Sequence, residues 1–191
     1  ESKDHDILSI CWHGFPADLD MYPVSTIASA KTDRGETALM KAAMNPHPEM
    51  LQYLLSVKGI ARGINRCDAD GCTALHLAVQ HQMPHNVYEI LRLRPIRVNE
   101  RDDQGQTPLH YAVKLNSCDV VHHLLKKHAD VNKPNRKGLS ALHLAVQRST
   151  KTTLHPYVLL FLEYGCPLLM VAHAASQVAS RATVAQVLDM D

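Results

Sequence analysis

Four times along the chain, a short polar run closing on glycine and then a hydroxyl residue gives way to apolar residues at helical spacing. The copies are TDRGETALMKAA from Thr32, DADGCTALHLAV from Asp68, DDQGQTPLHYAV from Asp102 and NRKGLSALHLAV from Asn135. In the third copy, Gly105 supplies the positive φ that a tight turn often needs. Thr107 is placed to accept from the free amides of a helix start. Pro108 suits the first helical position, where its missing N–H leaves nothing unpaired. Leu109 and Ala112 then fall on one face, and the small alanine admits a neighbouring helix at close range.

A second helix is predicted behind each of these. In CDVVHHLLKKHADVN, Val120, Val121, Leu124 and Leu125 share a face; Met50, Leu51, Leu54 and Leu55 do so in the first unit. Val87, Ile90 and Leu91 follow suit in the second, whose helix starts at Pro84, a residue tolerated only in a first turn. In the fourth, Val158, Phe161 and Leu162 align once about four residues are inserted around Ser149–Thr153. The ends depart from the pattern, as terminal units commonly do. DILSICWHG (6–14) reads as a lone second helix with Ile7, Ile10 and Cys11 inward and Gly14 as its stop, and FPADLDMYPVSTIASAK fits no unit. After Gly165-Cys166-Pro167 no Asp-x-x-Gly turn recurs. LLMVAHAASQVASRATVAQVL, with Arg181 its one charge, predicts one or two short capping helices.

The bulk numbers narrow the function classes. A chain of 191 residues, 46% apolar, buries roughly 70% of its unfolded surface, enough for a substantial core. Twenty basic against nineteen acidic residues argue against a surface made wholly for nucleic acid or anionic membrane. Five cysteines without C-x-x-C spacing read as reduced thiols of the cytosol or nucleus. No apolar run reaches the roughly 18 residues of a membrane span. The chain begins with Glu rather than Met, so a domain of something longer stays open.

The marking glycines, Gly35, Gly71, Gly105 and Gly138, lie 36, 34 and 33 residues apart. That period, with Thr107-Pro108-Leu109-His110-Tyr111-Ala112 as its best copy, resembles the ankyrin repeat. The resemblance covers about residues 32–169. It implies an all-α solenoid of helix-turn-helix units joined by hairpin loops: repeats at 32–67, 68–101, 102–134 and 135–169, between divergent caps at 1–31 and 170–191. It also implies that His76, His110 and His143 are buried bridges to neighbouring backbone, with Met40 replacing the first.

Catalysis and metal binding find no support. There is no G-x-S-x-G, phosphate-cradling glycine loop, HRD or DFG string, and the acids around Glu100–Asp103 sit in a turn. Cys118 and His122 lack a second ligand pair, and His81 and His85 flank Pro84 without the Glu of H-E-x-x-H. No enzyme activity, cofactor or metal is therefore expected.

Binding is where the repeat leaves freedom. By motif position the family's groove residues are Asp33, Arg34, Glu36, Met44 and Asn45; Ala69, Asp70, Cys72, Gln80 and His81; Asp103, Gln104, Gln106, Lys114 and Leu115; and Arg136, Lys137, Leu139, Gln147 and Arg148. The expected function is an intracellular interaction module, cytoplasmic or nuclear and monomeric in isolation, binding a protein or peptide. The alternative is a regulatory or targeting domain of a larger enzyme, or a regulator resembling the inhibitors of Rel-type transcription factors. Between 124 and 151 seven basic side chains face one acid, Asp130, so an acidic partner segment should orient toward the fourth repeat. Lys126 and Lys127 either belong to that basic end or face outward. Nucleic acid is disfavoured because stacking aromatics are lacking. Finally, Leu124 eight residues before Asn132, with Asp130-Val131 between, resembles the pattern hydroxylated by the asparaginyl oxygenase of ankyrin repeats.

Overall fold

The computed structural model describes residues 2–13, 16–148 and 156–188. Helix α1 (Ser2–His13), a 3-10 turn at Pro16–Leu19 and α2 (Val24–Ser29) precede four helix pairs. These are α3 (Ala38–Met44) with α4 (Pro48–Ser56), α5 (Ala74–Gln80) with α6 (Pro84–Arg92), α7 (Pro108–Lys114) with α8 (Cys118–Lys126), and α9 (Ala141–Gln147) with α10 (Pro156–Glu163). A long α11 (Leu168–Leu188) closes the series. Helices α1, α3, α5, α7, α9 and α11 pack one against the next as an inner row, with α4, α6, α8 and α10 as an outer row behind them. Among the described residues the extended pairing is confined to two isolated bridges, Lys31 with Thr37 and Cys67 with Thr73.

The repeated phrase explains this stacking. Leu39 and Ala42, Leu75 and Ala78, Leu109 and Ala112, and Leu142 and Ala145 are all buried between inner helices. The outer helices bury Met50, Leu51 and Leu54, then Val87, Ile90 and Leu91, then Val120, Val121, Leu124 and Leu125. In α10 Tyr157 joins Val158 and Phe161, while Leu55 and Leu162 are half-buried. No pair could cover both of its apolar sides alone, so burial comes from the neighbours.

Each hairpin is closed by one side chain at its start. Asp68 Oδ1 accepts from the amides of Asp70 and Cys72, Asp102 Oδ1 from those of Gln104 and Gln106, and Asn135 Oδ1 from those of Lys137 and Leu139. Gly105 turns at φ 72°, and a Cβ there would meet the Arg136 amide nitrogen at 2.8 Å. That close approach lets successive hairpins bond: Ala69 N–H donates to Arg34 O (2.8 Å), Asp103 N–H to Asp70 O (2.9 Å) and Arg136 N–H to Gln104 O (2.9 Å).

The recurring histidines join the units a second time. His76 Nδ1 accepts from the Thr73 amide (3.2 Å), which leaves the proton on Nε2 to donate to Gln106 O (3.2 Å). His110 repeats this with the Thr107 amide and Leu139 O (3.0 Å). In the last unit no hairpin follows, and His143 Nε2 meets the Gln177 carboxamide oxygen of α11 at 2.8 Å. The Met40 sulfur accepts from the Thr37 amide within its own unit. The first joint is instead tied at the far end of the helices: the Asn86 carboxamide donates to Ala42 O, Ala43 O and Asn45 O.

Both termini correct the sequence expectation. Helix α1 lies against α3 and takes an inner-helix place, not that of a second helix. Ile7, Leu8 and Cys11 form its buried face, Ile10 is half-buried, and Asn45 donates to Cys11 O and Trp12 O at its carbonyl end. At the other end a single helix of 21 residues stands in place of one or two short ones. Gly14 and the insertion around Ser149–Thr153 lie outside the described residues.

Burial holds the His76 and His110 imidazoles below their ordinary value. The unfolded chain therefore takes up protons that the folded chain refuses. Their contribution is fully present above about pH 6.5, the ordinary imidazole value, and is lost as pH falls below it. The unfolding free energy from urea titration should drop between pH 7 and 5, by at most about 1.4 kcal/mol per pH unit for each histidine. His76→Gln should shallow that slope, and an unchanged slope would count against the buried neutral bridge.

Candidate functional site

The hairpin tips and inner helices bound two adjoining hollows. One, of about 1010 Å³, lies between α1 and the first hairpin and is lined by Leu8, Trp12, Met44, Asp33 and Glu36 among others. The second, of about 390 Å³, follows the tips of the first three hairpins and is lined by Arg34, Asp70, Cys72, Gln80, Asp103, Gln104 and Tyr111. Glu36, Met44 and His81 line both, so the two make one trough.

The residues expected in a groove divide sharply. Asp33, Arg34, Glu36, Asp70, Gln80, His81, Asp103 and Gln104 are gathered along the trough. Lys114, Leu115, Arg136, Lys137, Gln147 and Arg148 lie outside both hollows, in the third and fourth units. All of these are exposed except Leu115, which is half-buried. Arg148 donates to Val113 O and Lys114 O, which occupies its guanidinium at the end of α7. Gln106 differs from the expectation. It is only 8% exposed, and its backbone carbonyl receives both the Asp102 amide and His76. Asn45 is likewise buried, its carboxamide committed to α1.

Charges in the trough are unevenly engaged. Burial raises the Glu36 carboxyl, but the hydrogen bond and charge of Lys41 at 2.8 Å, with Thr32 and Arg34, outweigh it and leave the group below its ordinary range. Asp70 pairs with Arg34. Asp102, 7% exposed, holds its own hairpin through Oδ1 and accepts from the Tyr111 hydroxyl through Oδ2. Burial first, then Asp102, pushes the Tyr111 hydroxyl well above its ordinary value. The Lys114 ammonium sits over the Tyr111 ring, 5.4 Å from its centroid. Burial, with the neighbouring Asp68 and Asp102 charges, pushes the Cys72 thiol up to about 12, which keeps it an unreactive wall. Among the described residues no group of three His, Cys, Asp or Glu side chains is arranged to hold a metal ion, and no helix is long and apolar enough to cross a membrane.

Sequence reasoning missed the α1 wall, Leu8 and Trp12 above all, and the role of Tyr111. The signal available was the four-residue spacing of Leu8 and Trp12, which sets them on one helix face.

Asn132 lies half-buried in the turn after α8, its amide donating to Asp130 Oδ1 at 2.9 Å. The equivalent Asn65 and Asn99 bridge to the next unit through Pro95 O and the Arg97 amide, and through His128 O and the Asp130 amide. Among the described residues the Asn132 carboxamide makes no such bridge.

Comparison with known proteins agrees with this architecture. A family model described as ankyrin repeats in three copies matches residues 19–102, 68–135 and 86–168. The nuclear factor NF-kappa-B p105 subunit of Gallus gallus is 41% identical over 83 residues, 41% of this chain and 8% of that protein. Neurogenic locus notch homolog protein 1 of Mus musculus is 37% identical over 116 residues, 60% of this chain and 4% of that protein. The chain thus spans under a tenth of the length of these relatives. The crystal structure of the ankyrin repeat domain of Bcl-3, a member of the IkappaB protein family, superposes with a TM-score of 0.70 at 28% identity, covering 84% of this chain and 70% of that one.

Proposed function

Because the chain belongs to the ankyrin-repeat family, whose fold is generally a non-catalytic interaction module, we propose that it holds a protein or peptide partner along the trough between its hairpin row and inner helices. The observation that carries this reading is the gathering of Asp33, Arg34, Glu36, Asp70, Gln80, His81, Asp103 and Gln104 on one continuous hollow. The mechanism is preorganisation. The tips are already hydrogen-bonded to one another, so little backbone order is lost on association. The protein acts as an adaptor or regulatory piece, monomeric in isolation, in the cytoplasm or nucleus.

A second, narrower reading is a regulator of Rel-type transcription factors. It is supported by the likeness to the NF-kappa-B p105 subunit and to the Bcl-3 ankyrin domain. A regulatory domain of a larger enzyme draws on a different relative, a probable serine/threonine-protein kinase of Dictyostelium discoideum, 33% identical over 93 residues.

The exposed Arg136 and Lys137 on the fourth hairpin favour an acidic stretch of the partner at that end. Changing both to alanine should weaken such a partner by slowing association and should flatten its salt dependence. Unmoved affinity would remove the basic end from the interface. Asn132, whose carboxamide makes none of its equivalents' bridges among the described residues, is the residue offered for hydroxylation. After exposure to the asparaginyl oxygenase, mass spectrometry should find one added oxygen on the Asn132 peptide, and its absence would dismiss the modification.

A further inference from the structure

The end of the trough nearest α1 differs in chemistry from the basic fourth unit. Three apolar side chains stand among its polar lining: Leu8 and Met44, each 5% exposed, and Trp12, the single tryptophan, which is half-buried. Such a ring offers a large rigid contact area, the kind that dominates interfaces. Beside it, the second hollow sets five carboxylates, Glu36, Asp68, Asp70, Asp102 and Asp103, against one guanidinium, Arg34. Glu36 is committed to Lys41 and Asp70 to Arg34, while Asp68 and Asp102 each spend an oxygen on their own hairpin. Asp103 is exposed and, among the described residues, its carboxylate makes no hydrogen bond or ion pair.

We infer that this half of the trough takes a peptide segment that places an apolar side chain on Leu8, Trp12 and Met44 and a lysine or arginine opposite Asp103. The inference rests on the peptide-binding reading above and commits it to the first three hairpins. The charge of the second hollow repels an anionic guest and draws a cationic one. An isolated cation would leave Leu8, Trp12 and Met44 uncovered, so the two features together call for a chain that carries both groups. Asp103, not the engaged acids, supplies the discriminating charge.

The test pans the full chain against a display library of random short peptides, then titrates the enriched peptides while following Trp12 fluorescence. The expected peptides combine an apolar residue with lysine or arginine and shift the Trp12 emission saturably. They should lose about tenfold in affinity with Asp103→Asn and keep it with Arg136→Ala/Lys137→Ala. Asp103→Asn leaves the Asp103 N–H···Asp70 O bond in place, so its urea midpoint should match that of the unaltered chain. Enrichment of acidic peptides alone, lost with Arg136→Ala/Lys137→Ala, would overturn the inference and leave the peptide-binding reading standing. Cationic peptides indifferent to Asp103→Asn or silent at Trp12 would also overturn it. A library that yields no peptide would overturn the inference and confine the broader reading to a folded protein partner.

Discussion

The bond on which everything else hangs runs from an imidazole to the next hairpin. His76 and His110 each accept from the amide at the head of their own helix and donate to a backbone carbonyl of the following unit, at 3.2 and 3.0 Å. Removing such a group would strand the buried amide at the head of the helix, at a cost of about 1–3 kcal/mol, and would leave the carbonyl with only the bond of its own hairpin, from Asp102 N–H to Gln106 O or from Asn135 N–H to Leu139 O. The bond also fixes register, because the ring reaches only the residue that follows the next glycine. Where Met40 interrupts the series, Asn86 ties the same two units from the opposite end of their helices. Where the hairpins run out, Gln177 offers a side chain in place of the missing carbonyl.

A hairpin row held this way is a fixed platform, and its charges inherit that fixity. The same carboxylates that build the turns line the hollow between them, which is why most of the acids there are already engaged and Asp103 stands apart. The trough is roomier toward α1 because that helix occupies an inner place and brings Leu8 and Trp12 to the first hairpin. Fold and trough are thus produced by one arrangement: the residues that order the tips leave their outer neighbours free to vary.

Much of this was legible in the sequence wherever a residue answers to a local rule. The glycine period, the hydroxyl caps at Thr73 and Ser140, and the Leu-Ala faces are all short-range signals, and each recurs in the structure. The histidine bridges were legible only through the family resemblance, since their acceptors lie about thirty residues away. Gln106 and Asn45 could not be placed by motif counting. Gln106 is 8% exposed in the bonded part of its hairpin, and Asn45 finds partners on α1, which no repeat pattern anticipates. The terminal helices escaped for a related reason: an apolar face does not say whether it will meet an inner or an outer neighbour.

Native-state hydrogen exchange on the full chain tests the central claim that the hairpins form one bonded row. The amides of Ala69, Asp103 and Arg136 belong to exposed residues at turn tips, yet each donates to the preceding hairpin. They should exchange as slowly as the helix amides of α5 and α7, because opening them means separating whole units. Exchange at the rate of free turn amides, with α5 and α7 still protected, would show that the tips move independently and that no fixed platform exists.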